Sequence, residues 1–212
     1  MNENYNTLEF YNKNAEMYFA QTIEANFQEV YDMFLKEIPK GAYILDFGCG
    51  SGRDSKYFIE RGYKVKATDG SENMCKLASN YIGQDVQCMK FEELCDENEF
   101  DAIWACSSVE HVEREILPEI LSKMIRAVKK NGTIFLSLKK GDGYEIKEGK
   151  YYIFVTREEI ENIISNIDKN VKIVDYLETL PSTKRKSNTI WSSYILKKFR
   201  RKNYYANTIS KS

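Results

Sequence analysis

The chain has 212 residues, with 31 Lys and Arg against 32 Asp and Glu, for a formal net charge of -1. At 42% hydrophobic and 30% charged residues it can bury one core and is not disordered, and no apolar run approaches the roughly 18 residues of a membrane-spanning helix. Met1 to Asn6 is polar and acidic, unlike a secretory leader, so a soluble cytoplasmic protein is expected.

Charge is unevenly placed. Residues 182–212 hold nine Lys or Arg and no acid, which leaves 22 basic and 32 acidic residues in the remainder. This basic end reads as a solvated edge and tail, with a polyanion contact as the alternative. The five cysteines make no C-x-x-C pair and are expected as reduced thiols. One histidine, His111, cannot build a His-rich zinc centre, so zinc hydrolase and deaminase chemistry is set aside and no metal site is expected.

Elements alternate along the chain. Phe27, Val30, Tyr31, Phe34, Leu35 and Ile38 share one face of a helix over 24–38, stopped by Pro39-Lys40-Gly41. Tyr43 to Phe47 is a short strand with an apolar run suited to burial on both faces. A helix from about Gly52 to Glu60 ends at Gly62. Lys64 to Thr68 is the second strand, and a helix marked by Met74, Leu77, Ala78 and Tyr81 follows, capped by Ser71. Val86 to Met89 and Phe100 to Cys106 are the next strands. Ile116 to Val128 is a strongly one-sided helix, and Asn131-Gly132 turns into a strand over Thr133 to Leu138. Ile160, Ile163, Ile164 and Ile167 mark another helix face. Two late strands, Val171 to Leu180 and Ile190 to Lys197, have no helix between them and should pair antiparallel. The alternation predicts an α/β fold with a doubly wound, parallel sheet. Its ligand belongs beyond the C-terminal ends of the strands.

Leu45-Asp46-Phe47-Gly48-Cys49-Gly50-Ser51-Gly52-Arg53-Asp54 sits at a strand end and opens a helix. Glycines there permit a sharp turn and close backbone approach, and free N–H groups at the helix start favour an anionic group. The spacing is G-x-G-x-G, not the G-x-G-x-x-G of dinucleotide binders. Asp69, 17 residues after Gly52, follows the second strand, where a carboxylate is placed to accept two ribose hydroxyls.

With these residues the chain resembles the class I S-adenosylmethionine-dependent methyltransferases, from about Tyr11 to Lys198, and most of all small bacterial members linked to tellurite resistance. Asp46 to Asp54, Ala67-Thr68-Asp69-Gly70-Ser71, Phe91-Glu92-Glu93-Leu94 and Trp104-Ala105-Cys106-Ser107 carry the resemblance. It implies a mostly parallel seven-stranded sheet with the last strand antiparallel and an N-terminal helical lid. The expected organisation is helices over the cofactor edge in 1–40, a methyltransferase core in 41–198 and a basic tail in 199–212.

The same resemblance implies that Gly48, Cys49 and Gly50 cradle the methionine part of S-adenosylmethionine, with Cys49 as a small loop residue. Arg53 would pair with the methionine carboxylate, its alternative being a solvated helix surface. Asp69 would hold the ribose, while Gly70, Ser71 and Met74 line ribose and adenine; Met74 also fits plain core packing. Phe91 and Glu92 would flank adenine, although relatives often place an acid where this chain has Lys90. Tyr11 and Tyr18, on one face with Ala15, would cover the sulfonium or simply pack on the domain. Ala105 and Cys106 end the fourth strand beside the transferred methyl, with Glu110 and His111 beyond.

Methyl transfer from a sulfonium needs alignment and exclusion of water, and a general base only for some acceptors. His111 is the candidate catalytic base, its alternative being packing or helix capping. No Asn/Asp-Pro-Pro-Tyr/Phe signature follows the fourth strand, which points to a small-molecule acceptor. Lys139, Lys140, Tyr152 and Arg185 are within expected reach of an anionic one. A nicotinamide oxidoreductase is disfavoured by the glycine spacing. A binding protein without turnover and an RNA-directed enzyme using the basic end stay as alternatives.

Overall fold

The computed structural model describes residues 5–180 and 189–200. Two short helices, α1 (Thr7–Lys13) and α2 (Ala15–Thr22), stand where one continuous face was expected. They break at Asn14, whose amide Nδ2 donates back to the Phe10 carbonyl at 2.8 Å. Next comes α3 (Gln28–Leu35), shorter than the expected 24–38 because Asn26 Oδ1 takes the Gln28 N–H and starts the helix late. The remaining elements are β1 (Tyr43–Phe47), α4 (Arg53–Glu60), β2 (Lys64–Asp69), α5 (Glu72–Ile82), β3 (Val86–Cys88), β4 (Phe100–Cys106), α6 (Leu117–Ala127), β5 (Val128–Lys140), β6 (Tyr144–Lys147), β7 (Lys150–Val155), α7 (Arg157–Ile167), β8 (Val171–Thr179) and β9 (Trp191–Lys198). Three-residue 3₁₀ turns at Phe91–Glu93, Val109–His111 and Arg114–Ile116 join some of them.

A seven-stranded run, β3-β2-β1-β4-β5-β9-β8, crosses the molecule. Its first four pairings are parallel, β9 is antiparallel to β5, and β8 is antiparallel to β9. This is the doubly wound sheet with a reversed last strand expected from the sequence. The strand count is not seven but nine among the described residues, because β6 and β7 form an additional hairpin. Lys139 of β5 pairs with Trp191 of β9 on one side and Phe154 of β7 on the other. The hairpin therefore extends the edge that β4 leaves after Cys106 pairs with Ser137. Asn131-Gly132 is also not a free turn: β5 starts at Val128 and bulges there, with Asn131 at φ 64°.

Alternation along the strands sorts the core onto two faces. Ile44, Ala102, Trp104, Phe135 and Ile195 pack with Val30, Phe34 and Phe58 of α3 and α4. Leu45, Ile103, Ala105, Leu136 and Leu196 pack with α6 and α7 on the other side. Trp104 and Phe135 are register partners on β4 and β5 and stack at 3.9 Å between centroids. No helix among the described residues is long and apolar enough to cross a membrane.

Candidate active site

The glycine loop leaves β1 and closes on β2. Gly48 and Cys49 donate their N–H groups to the Thr68 carbonyl at 2.9 and 2.8 Å, Gly50 N–H donates to Asp69 Oδ2 at 2.9 Å, and Gly52 N–H to the Cys49 carbonyl. At these four positions the donors expected for an anionic ligand are thus spent inside the protein. Gly48 has φ 83°, and a Cβ on it would lie 2.5 Å from Ser108 Cβ. Only glycine fits there without moving the turn that follows β4. Asp69 is fixed from both sides, since Ser71 N–H donates to its Oδ1 at 2.9 Å. Burial raises its pKa, and the two backbone donors work against that rise. Each carboxylate oxygen retains acceptor capacity for a hydroxyl.

Arg53 does not stand free at the helix surface. Its Nε and Nη2 grip both oxygens of Asp54 at 2.6 and 3.0 Å, Nη1 donates to the Thr22 carbonyl, and the guanidinium lies 3.9 Å over the Phe27 ring. Most of its donor fork is therefore committed to the fold. Asp54 also accepts from Tyr31 Oη and from Trp104 Nε1 at 2.8 Å, so this buried carboxylate ties α3, α4 and β4 together. Beneath it, Asp46 accepts from Ser55 Oγ at 2.6 Å, and burial pushes its pKa up to about 8.

The N-terminal helices lie over this edge. Asn12 Oδ1 accepts from Ser71 Oγ at 2.7 Å and from Asn73 N–H at 3.2 Å, and Asn73 Nδ2 donates to the Asn12 carbonyl. Leu8 sits against Gly70, where a Cβ would approach Leu8 Cδ2 to 2.7 Å. Thr22 Oγ1 donates to Ser51 Oγ at 3.1 Å, tying α2 to the glycine loop. Tyr11 and Tyr18 meet edge to face at 4.9 Å.

Under these helices opens a cavity of about 1090 Å³. Tyr11, Tyr18, Gly48, Cys49, Gly50, Arg53 and Cys106 line it, as do Glu110, Ser107, Ser137, Lys139, Lys150, Tyr152 and Trp191. Asp69, Gly70 and Ser71 lie behind the glycine loop under α1 rather than on its wall. Met74 and Ala105 are buried in the core. Phe91 packs edge-on against Phe47 at 4.8 Å and beside Gly48, whereas Glu92 is exposed on its 3₁₀ turn and lines nothing. Glu93, not Glu92, is engaged there, accepting from Lys90 N–H at 2.7 Å. Lys140 points away into an ion pair with Glu178. Arg185 and residues 201–212 of the basic tail lie outside the described residues.

His111 stands behind Tyr11, not at the cavity wall. Its Nδ1 is 2.8 Å from the Tyr151 carbonyl, which can only accept, so Nδ1 carries the hydrogen. Nε2 then accepts from Tyr11 Oη at 2.8 Å. Burial pushes the His111 pKa down to about 4. Both ring nitrogens are therefore occupied and the ring is neutral. Burial also holds the Cys106 thiol up at about 12, in its protonated form.

The sequence placed Glu110 beyond the fourth strand but gave it no role. Its side chain is 4% exposed, Oε2 has no hydrogen-bond partner, and burial lifts its pKa to about 8 despite Lys139 and Lys150 nearby. Its signal is an acid four residues after the fourth strand, next to the histidine whose ordinary pKa suits proton transfer. The β6–β7 hairpin was also unread, and it supplies Lys150 and Tyr152. Its signal was Glu148-Gly149, a two-residue loop with φ 53° and 75° between Tyr144 to Lys147, which alternates apolar and charged residues, and the apolar run Tyr151 to Val155.

Comparison with known proteins agrees with this architecture. Residues 44–132 match the family model described as a methyltransferase domain. A ubiquinone biosynthesis O-methyltransferase of Idiomarina loihiensis is 33% identical over 104 residues, 46% of this chain and 42% of that protein. The match therefore spans less than half of that relative's length. Among solved structures, a Burkholderia thailandensis 1,6-didemethyltoxoflavin-N1-methyltransferase, with bound 1,6-didemethyltoxoflavin and S-adenosylhomocysteine, superposes with a TM-score of 0.71 at 19% identity, over 91% of this chain and 85% of that one. A TehB-like methyltransferase from Corynebacterium glutamicum gives 0.67 at 16% identity, over 90% and 97%. Residues 44–132 thus match a methyltransferase domain, and the described residues share the fold of S-adenosylmethionine-dependent methyltransferases.

Proposed function

We propose that the protein transfers the methyl group of S-adenosylmethionine to a small-molecule acceptor at oxygen or nitrogen, by direct displacement at the methyl carbon. One observation carries this reading: Asp69, pinned between Gly50 N–H and Ser71 N–H, stands behind the glycine loop whose Gly48, Cys49 and Gly50 line a cavity, and Ser107, Glu110, Ser137, Lys139 and Tyr152 line the same cavity. The first half suits a nucleoside with a vicinal diol, and the second a polar acceptor. When bound, S-adenosylmethionine supplies a methyl on a sulfonium, a leaving group already charged. The protein's share is to orient and to exclude water. Asp69 would accept from the ribose hydroxyls, Tyr11 and Tyr18 would shield the cation, and α1 is held over the edge through Asn12.

Support for a small acceptor comes also from the relatives, one named for an O-methylation in ubiquinone biosynthesis and one for N-methylation of a toxoflavin precursor. A nucleic-acid acceptor is disfavoured by the described part of the basic end. Lys197 Nζ donates to the Glu37 carbonyl and Thr133 Oγ1, and Lys198 Nζ to the Ile125 and Val128 carbonyls, so both ammonium groups serve the fold. Calorimetric titration with S-adenosylmethionine and S-adenosylhomocysteine tests the first half, and binding of both is expected. Mass spectrometry of cell extract incubated with pure protein and S-adenosylmethionine tests the second, by metabolites gaining one methyl. Failure of both nucleosides to bind would overturn the reading.

A further inference from the structure

The acceptor end of the cavity contains a polar group that nothing in the protein satisfies. Glu110 is on the 3₁₀ turn after β4, its side chain 4% exposed, and Oε2 finds no partner. A buried carboxyl oxygen without a partner costs free energy, so its retention calls for a role. Its surroundings are defined from each neighbouring element. His111 on the same turn has Nε2 3.8 Å from Glu110 Oε1, too far for a hydrogen bond, and that nitrogen is already held by Tyr11 of α1. Tyr18 of α2 and Tyr152 of β7 face it as neutral phenols. Lys139 of β5 and Lys150 of β7 bring positive charge, and Glu145 of β6 brings a like charge. Lys139 Nζ lies 3.2 Å over the Tyr152 ring and 3.4 Å from Glu145.

Resting on the proposed methyl transfer, we propose that Glu110 is the general base that takes the proton from a hydroxyl or ring N–H on a planar acceptor, seated against Tyr152 and Lys139. The acceptor's oxygen or nitrogen lone pair forms the new bond to the methyl carbon. The carbon–sulfur pair passes to sulfur, which becomes a neutral thioether, and the acceptor's proton moves to Glu110, which becomes a neutral carboxylic acid. Atoms and charge balance with no further reagent: the positive charge of the sulfonium and the negative charge of the carboxylate both disappear. His111 is the positioning residue that holds Tyr11 through Nε2. The aromatic wall selects a flat acceptor, and the two lysines favour one rich in electrons.

Burial sets the pH at which Glu110 works, since the carboxyl must lose its own proton before it can accept another. Its pKa stands at about 8 in the structure, and the nearby sulfonium would lower it.

The test compares two probes of one shape, 4-methylphenol and 4-methylbenzenethiol, with purified protein and S-adenosylmethionine, read by mass spectrometry. The phenol keeps its proton near neutral pH, whereas the thiol gives it up readily and needs no base. Glu110→Gln is expected to slow methylation of the phenol at least about 100-fold and to change the thiol rate by no more than a few fold. The wild-type phenol rate should rise with pH toward a plateau, and the variant should lose that rise. Glu110→Asp should recover part of the phenol rate. Equal loss on both probes, no loss on the phenol, or methylation of neither probe by a protein that binds S-adenosylhomocysteine would overturn the proposal. Failure to bind S-adenosylhomocysteine would overturn the function on which it rests.

Discussion

Replacing Asp69 with Asn keeps the size of the side chain and removes one acceptor oxygen. In the structure Oδ2 receives Gly50 N–H and Oδ1 receives Ser71 N–H, each at 2.9 Å. An amide serves only one of these donors; its NH2 faces the other, donor against donor. A buried N–H left unsatisfied costs about 1–3 kcal/mol, so stability should fall by that amount. The cofactor loses more than geometry. Two ribose hydroxyls that would donate to a carboxylate meet one neutral oxygen, and hydrogen bonds to charged groups contribute about 1.5–3 kcal/mol. That corresponds to roughly 10- to 150-fold weaker binding. Thermal unfolding measures the first term and calorimetric titration with S-adenosylhomocysteine the second. Lower stability with wild-type affinity would refute the ribose assignment while sparing the loop geometry. An unchanged value for both would refute the whole account of Asp69.

Three further outcomes are expected. Glu110 holds its proton more tightly folded (about 8) than unfolded (about 4.5), so its contribution to stability falls as pH rises through that window; Glu110→Gln should therefore gain stability relative to wild type at pH 8 and not at pH 4, measured by urea unfolding. Asn12→Ala removes the acceptor for Ser71 Oγ and Asn73 N–H, a loss of about 1 kcal/mol, and should speed S-adenosylhomocysteine release roughly fivefold in stopped-flow fluorescence. Lys198→Met leaves the Ile125 and Val128 carbonyls without their donor and should cost about 1–2 kcal/mol of stability, seen in urea unfolding, with S-adenosylhomocysteine affinity unchanged.

The donor side of the site was legible because it depends on local chemistry. Gly48, Gly50 and Asp69 sit at strand ends, and strand ends follow from the apolar runs of β1 and β2. The helices α5 and α6 were equally readable, one capped by Ser71 and closed by Gly83, the other marked by a broad apolar face. On the acceptor side Cys106, Glu110, Lys139 and Tyr152 could be named but not arranged, because they come together only through long-range pairing. Lys139 is one residue in a long strand until β7 pairs beside it and places Tyr152 under its ammonium. The partners of Arg53 within the fold were hidden for a similar reason: nothing in its own neighbourhood announces that Thr22 and Phe27 fold back onto it. His111 appeared suited to proton transfer by its ordinary pKa alone, and the contacts that disable it come from positions 11 and 151.

The β6–β7 hairpin is sewn to the sheet by only two residue pairs, Lys139 with Phe154 and Lys140 with Val155, and is braced by Arg114 on the Gly143 and Phe154 carbonyls. β4 and β5, by contrast, share six register pairs. Within the hairpin, β6 is exposed or half-buried and can move locally, whereas β7 buries Ile153 and Val155 in the core and is held to α1 by Thr7 Oγ1 on the Tyr151 N–H. Amide hydrogens of Tyr144 to Lys147 should exchange with solvent well before those of Ile103 to Cys106. A molecule built this way can change its choice of acceptor through residues of one hairpin without disturbing the strands that hold the methyl donor.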